Sequence, residues 1–172
     1  MNSNSSAPPS ARAAVEQLQT YSAPLEGRRE LLRLDFNENT IGCSPLVAKA
    51  VRNFSAEEIS VYPEYEGLCE AVVKNMLETK CSGGFQPDQV GFFNGVDAAI
   101  HDEFQAYGDA GDRLLTTSPT FGYYAPCARM QGMLIEAIPY EGDDFAFPLQ
   151  AIEAALLAQT PRLLLILSLI HI

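Results

Sequence analysis

The second half of the chain alternates short apolar runs with amphipathic segments, and this alternation constrains the fold more than any other feature. The runs that predict strands are Val90–Asn94, Arg113–Thr117, Met133–Pro139 and Arg162–Ile166. The segments that predict helices lie between them, at Asp97–Tyr107, Tyr123–Gln131 and Pro148–Gln159. Strands joined through helices form βαβ units, which build a mostly parallel sheet with helices on both faces. The sequence therefore predicts an α/β fold.

The first half of the chain is predicted to hold helices and loops ahead of that sheet. The predicted helices are Ala11–Tyr21, Pro45–Asn53 and Leu68–Met76. Ser10 is expected to cap the first of these. The second opens with a serine followed by a proline, Ser44-Pro45, which is the favoured pairing of N-cap and first helical residue. A short extended segment is expected at Leu31–Phe36.

Composition excludes several classes of partner. The 172 residues carry a formal net charge of −11, whereas nucleic acids and anionic membranes attract basic surfaces. The hydrophobic content of 47% is enough for a buried core, and the length suits about one domain. The four cysteines have no metal-binding or redox spacing, which indicates reduced thiols and a cytoplasmic protein. Met1–Ser10 lacks the pattern of a signal peptide, and no apolar run is long enough to span a membrane.

Two turns at the carboxyl ends of predicted strands carry the main candidate binding residues. At Gly95 a strand passes directly into a helix, so free N–H groups and the positive helix end meet, which suits a phosphate. Phe121 follows the next strand and offers an aromatic face to a planar ring. Each feature also has a simpler interpretation, in which Asp97 caps the helix and Phe121 belongs to the core. Together the two turns predict a site for a flat, phosphorylated cofactor, at the sheet edge where ligands of such folds bind.

Two polar loops earlier in the chain add further candidates. Asp35–Pro45 is dense in amide side chains, and Val61–Glu64 presents a tyrosine beside a proline. Either loop is also compatible with an ordinary turn-rich connection. Their order and spacing relative to the two later turns make them informative.

In that order, the motifs resemble those of the fold-type-I pyridoxal-phosphate aminotransferases, and within them the histidinol-phosphate aminotransferase branch. The matching motifs are Asn37-Glu-Asn39, Gly42, Ser44-Pro45, Tyr62-Pro63-Glu64, Asn94-Gly-Val-Asp97 and Pro119-Thr-Phe-Gly-Tyr-Tyr124. The resemblance runs from about Leu34 to Ile166. It implies part of the parallel-sheet large domain of such an enzyme, preceded by an N-terminal arm.

The resemblance also implies how pyridoxal 5′-phosphate would be held. The backbone amides of Gly95, Val96 and Asp97 would bind its phosphate, and Phe121 would stack on its pyridine ring. Tyr62 would hydrogen-bond the phosphate in the neighbouring subunit, which implies a homodimer.

The implied activity is transfer of an amino group between glutamate and a keto substrate, with imidazole-acetol phosphate of histidine biosynthesis as the expected one. Asn37 and Asn39 would border the substrate pocket, and Tyr21 would face the substrate. The chain departs from the family at Val96 and Ala98, where serine and glutamate are common, and at Thr40, where proline is favoured. These departures bear on the substrate more than on the cofactor, because the backbone cradle does not need those side chains.

Three parts are expected along the chain. Residues 1–33 form a tail and arm, residues 34–166 form the N-terminal part of the large domain, and residues 167–172 are interpreted as read-through of a sequencing adapter. That interpretation rests on the mosaic end of a common transposase adapter, which can encode Leu-Ser-Leu-Ile-His-Ile. The alternative is a natural apolar strand, and the codons at these positions distinguish the two.

The residues that perform the chemistry in the family have no counterpart in this sequence. Lys49, Lys74 and Lys80 lie too early in the chain to match the family's Schiff-base lysine, so no catalytic residue is assigned and the chain itself is expected to be inactive. No metal site is expected either. Two alternatives remain open. One is another pyridoxal-phosphate transaminase or decarboxylase of the same fold, and the other is a non-catalytic α/β module that binds a different phosphate ligand.

Overall fold

The computed structural model describes residues 10–18, 26–34, 36, 38–77 and 84–166. They fall into two compact units, of which the first contains the described residues of 10–18 and 93–166 and the second those of 26–92. The helices are α1 Ala13–Glu16, α2 Pro45–Asn53, α3 Ala56–Ser60, α4 Leu68–Val72, α5 Val96–Tyr107, α6 Tyr124–Gln131 and α7 Leu149–Ala158. In this part of the chain none of the helices has the length and apolar character needed to cross a bilayer.

A three-stranded parallel sheet organises the first unit. Its strands are β1 Arg113–Ser118, β2 Leu134–Pro139 and β3 Leu163–Leu165, in the order β2-β1-β3. Helix α6 connects β1 to β2, and α7 connects β2 to β3, so both connections are βαβ crossovers. The α/β class and three of the four predicted strands are thereby confirmed, with bounds that differ by one residue at one end of β1 and of β2 and at both ends of β3.

The central strand is buried on both faces. Its successive side chains point to opposite sides of the sheet, and each side carries a cluster of buried residues. Leu114 lies in one cluster of buried residues, here called the first cluster, whose members are Ile100, Phe104, Leu114, Tyr124, Cys127, Ala128, Met133 and Leu163. Leu115 lies in the second cluster, with Ile138 and Ile152. Helices α5 and α6 therefore cover one face of the sheet, and α7 covers the other.

The predicted fourth strand, Val90–Asn94, is not a strand in this structure. The segment forms no ladder with any described residue, and Phe92 and Phe93 are 43% and 53% exposed. A strand needs a neighbour that accepts and donates its backbone hydrogen bonds, and an apolar pattern alone does not provide one. The prediction was wrong because it relied on apolar composition, whereas none of the described segments pairs with these residues.

The N-terminal helix is shorter than predicted in the described residues. Helix α1 begins at Ala13, with Arg12 rather than Ser10 at the N-cap, and no side chain caps it. Residues 19–21 of the predicted helix lie outside the described residues. Arg12 Nη2 donates to the Met130 carbonyl at 3.0 Å, which ties the start of α1 to α6.

The second unit is built mainly from short helices. Helix α2 has the predicted bounds, and the hydroxyl of Ser44 accepts from the Leu46 N–H at 3.3 Å as an N-cap. Helix α3 was missed, although Ser55 and Glu58 form the reciprocal capping box that marks a helix start. Helix α4 continues as a π-helix over Val73–Leu77, so the predicted helix is present with a change of hydrogen-bond pattern.

Candidate functional site

The chain enters α5 through a backbone conformation that favours glycine. Gly95 has φ +85° and ψ 165°, a region that other residues rarely adopt. A Cβ at this position would meet no atom within 4 Å, so the turn is required by backbone shape and not by crowding. The space beside the turn is therefore open to a ligand.

The start of α5 has the chemistry of an anion site. Gly95 offers no side chain to cap the helix, and none of the hydrogen bonds among the described residues satisfies the N–H groups of Val96 or Asp97. The Gly95 N–H, which was also expected to bind a phosphate, instead donates to the Phe93 carbonyl at 2.9 Å. Unbonded N–H groups, together with the positive end of the helix dipole, favour a phosphate. The residues present thus fit the phosphate of pyridoxal phosphate.

The alternative role for Asp97, as the helix cap, was wrong. The helix begins one residue earlier than predicted, at Val96, so Asp97 is the second helical residue and makes no capping bond. The reason is the turn at Gly95, whose positive φ lets helical geometry begin immediately after it. Asp97 is exposed in the first turn, where a carboxylate interacts favourably with the helix dipole.

Phe121 lies in a turn just beyond the carboxyl end of β1. The Tyr124 N–H donates to the Phe121 carbonyl at 3.3 Å and closes the turn that opens α6. The Phe121 ring is partly buried and packs against the first cluster. The ring is therefore anchored against the core and still partly accessible, and its role as a stacking surface stays a prediction.

Electrostatics links the two turns. Burial raises the pKa of the Tyr123 hydroxyl, the hydrogen bond to Cys127 raises it further, and the carboxylate of Asp97 adds to the shift. Burial likewise raises the pKa of the Cys127 thiol, opposed by the hydrogen bond from Tyr123 and supported by Asp97. The charge of Asp97, at the start of α5, therefore disfavours ionisation of both Tyr123 and Cys127. The interaction between Tyr123 and Cys127 was not predicted. Their spacing of four residues, which puts both on one face of a helix, was the available signal.

The remaining predicted residues are divided between the second unit and the undescribed part of the chain. Tyr62 is 97% exposed in the second unit. Asn39 stabilises its own loop there, since its amide donates to the Gly42 carbonyl at 2.8 Å and its oxygen accepts from the Ile41 N–H at 3.2 Å. Asn37 and Tyr21 lie outside the described residues. The predicted residues of the two turns lie in the first unit, where helices α5 and α6 pack against each other.

A further residue of the polar loop holds that loop in place. Glu38 accepts from Arg28 at 3.3 Å and from Arg33 at 3.2 Å. The Arg28 guanidinium also lies 4.1 Å from the centroid of the Phe36 ring, a cation–π contact. The ion pairs of Glu38 were not predicted. The position of Glu38 between two predicted substrate residues was the available signal.

Residues 29–169 match the family model described as aminotransferase class I and II. Among curated relatives, histidinol-phosphate aminotransferase of Lactiplantibacillus plantarum is 31% identical over 138 residues, covering 74% of this chain and 37% of the relative. The enzyme of the same name from Leuconostoc mesenteroides is 32% identical over 157 residues, covering 83% of this chain and 42% of the relative. The chain thus spans about two-fifths of the length of these relatives.

Solved structures agree on the fold. Histidinol-phosphate aminotransferase from Sinorhizobium meliloti, solved in complex with pyridoxal-5′-phosphate, superposes with a TM-score of 0.72 at 22% identity. The match covers 92% of this chain and 42% of that one. Cystalysin from Treponema denticola, which contains the same cofactor, gives a TM-score of 0.57 at 17% identity over 65% of this chain and 29% of its own. Because the family model matches most of its residues, the chain belongs to the aminotransferase class I and II family.

Proposed function

We propose that the protein to which this chain belongs is a pyridoxal-phosphate-dependent aminotransferase, and that this chain supplies the part that holds the cofactor. The observation that carries the proposal is the start of α5, where the N–H groups of Val96 and Asp97 are unbonded among the described residues and the space at Gly95 is open. Helix α6, which follows the turn of Phe121, packs against α5. Membership of the aminotransferase class I and II family supports the same conclusion. The names of the relatives and of the solved neighbours agree with it.

The residues of the first unit divide the work of holding the cofactor. The N–H groups of Val96 and Asp97, with the turn at Gly95, would bind the phosphate, and the accessible part of Phe121 would lie against the ring. Serine is common in the family where this chain has Val96, so the phosphate would receive backbone bonds here without a hydroxyl. When bound, pyridoxal phosphate supplies the electron sink for amino-group transfer.

The second unit contributes the proposed contacts to a partner subunit and to the substrate. Tyr62 is proposed to bind the cofactor phosphate of a second subunit in a homodimer, and its exposure of 97% leaves it available for such a contact. The loop that contains Asn37 and Asn39 is proposed to border the substrate, and Tyr21, outside the described residues, is proposed to face it. The ion pairs of Glu38 stabilise that loop.

The proposed reaction moves an amino group between glutamate and imidazole-acetol phosphate in histidine biosynthesis, in the cytoplasm. The shared name of the two curated relatives supports this substrate over other keto substrates. For the 172-residue chain by itself we expect binding without turnover, because none of its assigned residues matches the catalytic lysine of the family.

Cofactor binding is tested with pyridoxamine 5′-phosphate, which has no aldehyde and cannot couple to surface lysines. Fluorescence anisotropy of this ligand is followed as the chain is titrated, with pyridoxamine as the matched probe without phosphate. We expect the phosphate to strengthen binding at least about tenfold, since hydrogen bonds to a charged group contribute about 1.5–3 kcal/mol. Equal affinity for the two probes would reject the cradle at Gly95.

The ring contact is tested in the same titration with two substitutions. Phe121→Ala removes the stacking surface and is expected to weaken binding several-fold, whereas Phe121→Tyr keeps the ring and is expected to preserve it. The substrate is tested on the full-length protein, by comparing the rate of glutamate formation from histidinol phosphate with that from other amino donors. A protein that prefers an unphosphorylated amino donor would refute the histidine-pathway assignment but not the transaminase.

A further inference from the structure

Two aromatic rings meet at the turn beyond β1. The ring centroids of Phe121 and Tyr124 are 5.7 Å apart, and the ring planes are inclined by 78°, which is an edge-to-face contact. The same two residues share the backbone hydrogen bond from the Tyr124 N–H to the Phe121 carbonyl. The contact is therefore made by one ring at the end of a strand and another at the start of a helix.

The two rings differ in how firmly they are held. Tyr124 is only 7% exposed and belongs to the first cluster, between the sheet and the helices that cover it. Phe121 is partly buried and packs against that cluster from outside. Burial and the nearby carboxylate of Glu103 raise the pKa of the Tyr124 hydroxyl, so this ring remains neutral in its buried position. The fixed ring is thus Tyr124, and the ring in need of support is Phe121.

We infer that Tyr124 is a positioning residue that holds the ring plane of Phe121 ready for a planar ligand. This inference rests on the proposed function, because that function supplies the ligand ring on which Phe121 would stack. An edge-to-face pair has a preferred geometry, so a buried partner restricts the tilt of the exposed ring. A ring already held in one orientation loses less freedom when a ligand stacks on it, and preorganisation of this kind strengthens binding.

The test uses the full chain and three substitutions. Tyr124→Phe keeps the aromatic edge and removes the hydroxyl, whereas Tyr124→Leu keeps an apolar residue of similar bulk and removes the edge. Ile152→Ala is the control for general destabilisation, because Ile152 belongs to the second cluster on the opposite face of the sheet. Each variant is first checked for a cooperative unfolding transition.

Two measurements are made on each variant. The first is the NMR resonance of the Phe121 ring in ligand-free protein carrying ¹³C-labelled phenylalanine, assigned by its loss in Phe121→Leu. The second is the affinity for pyridoxamine 5′-phosphate. We expect Tyr124→Leu to shift the Phe121 resonance and to weaken binding about 3- to 10-fold, as expected for the loss of one aromatic pair. Tyr124→Phe and Ile152→Ala are expected to stay within about twofold of the parent chain.

The outcomes separate this inference from the proposed function. Equal weakening by Tyr124→Leu and Ile152→Ala would show a general loss of stability and overturn the positioning role, as would unchanged affinity in Tyr124→Leu. Failure of the parent chain to bind the ligand would overturn cofactor binding by this chain. In that case the NMR measurement decides the positioning role alone, because an unchanged Phe121 resonance in Tyr124→Leu would reject it.

Discussion

The guanidinium of Arg113 on β1 pairs with the carboxylate of Glu136 on β2 and also reaches the end of α7. One nitrogen bonds Glu136, while the other donates to the carbonyls of Ala155, at 3.0 Å, and Gln159. Helix α7 has no basic residue in its own last turn, so Arg113 supplies the positive charge that its carboxyl end favours. One side chain therefore joins both strands to the helix that connects β2 with β3.

Replacing Arg113 is expected to cost more stability than replacing its acidic partner. Arg113→Met removes bonds to two helix-end carbonyls, and we expect the free energy of unfolding to fall by about 2–3 kcal/mol. Glu136→Gln is expected to cost less than about 1 kcal/mol, because the Glu136 side chain is 42% exposed and water replaces the pairing. Urea unfolding followed by far-UV circular dichroism measures both. Equal losses would mean that the ion pair, not the contact with α7, is the stabilising element.

The glycine at the start of α5 is expected to tolerate no side chain without strain. Gly95→Ala meets no steric obstacle, but its positive φ should cost about 1–3 kcal/mol and disturb the cradle, weakening pyridoxamine 5′-phosphate binding. Gly111→Ala is the matched control, since Gly111 has φ +88° and open space at its Cβ but lies before β1. The control should lose stability and keep its affinity for the ligand. Weaker binding in both variants would indicate a general effect of destabilisation.

A hydroxyl on the central strand is expected to matter for its pairing with β3. Thr116 lies opposite Leu165 in the register, and its Oγ1 donates to the Leu165 carbonyl at 2.7 Å. We expect Thr116→Val to lower the free energy of unfolding by about 1–2 kcal/mol, because the partly buried Leu165 carbonyl loses a donor. Thr117→Val is the neighbouring control, where only a 3.4 Å contact with the Tyr140 hydroxyl is lost. A larger loss in Thr117→Val would contradict this ranking.

The buried thiol is expected to resist modification at neutral and mildly alkaline pH. Cys127 is fully buried, which keeps reagents away from its thiol. Burial also raises the pKa of the thiol, which disfavours the reactive thiolate. With Cys43, Cys69 and Cys81 replaced by serine, reaction with a disulfide reagent at pH 8 should proceed only as fast as the protein opens. A reference variant that retains only the exposed Cys43 should react rapidly.

The same thiol predicts the sign of a pH effect on stability. Because the pKa of Cys127 is raised in the folded state, the unfolded chain loses this proton first as pH rises. The contribution of Cys127 to the free energy of unfolding is complete below the ordinary thiol pKa. It is lost as pH rises through the pKa of the thiol in the folded state. Unfolding midpoints between pH 7 and 10 should therefore fall less in Cys127→Ala than in the parent chain. A parallel decline in both would exclude Cys127 as a source of the pH effect.

Predictions that depended on local chemistry agreed with the structure in part, since the expected caps at Ser10 and Asp97 are not formed. Ser44-Pro45 gave the start of α2, because an N-cap hydroxyl and a proline at the first helical position act within a few residues. The Gly95 turn and the alternation of apolar runs with helices likewise located α5 and the three strands. Family resemblance, supported by the match over residues 29–169, identified the fold before any contact was known.

Predictions that depended on contacts between distant segments fared differently. Val90–Asn94 has the composition of a strand but finds no partner among the described residues, and a ladder cannot be read from one strand. The pairing of Phe121 with Tyr124 requires ring orientation, which sequence spacing does not specify.

The sequence by itself determined the class of fold, the glycine turn before α5 and the aromatic residue beyond β1, since these depend on backbone preferences and hydrophobic pattern. The tertiary structure decided which groups stand together. It set the Tyr124 ring edge-to-face against Phe121, placed Arg113 between two strands and a helix end, and put the charge of Asp97 where it raises the pKa of Tyr123. The physical reason is that ring orientations and contacts between distant segments are fixed only when the crossover helices pack on the sheet.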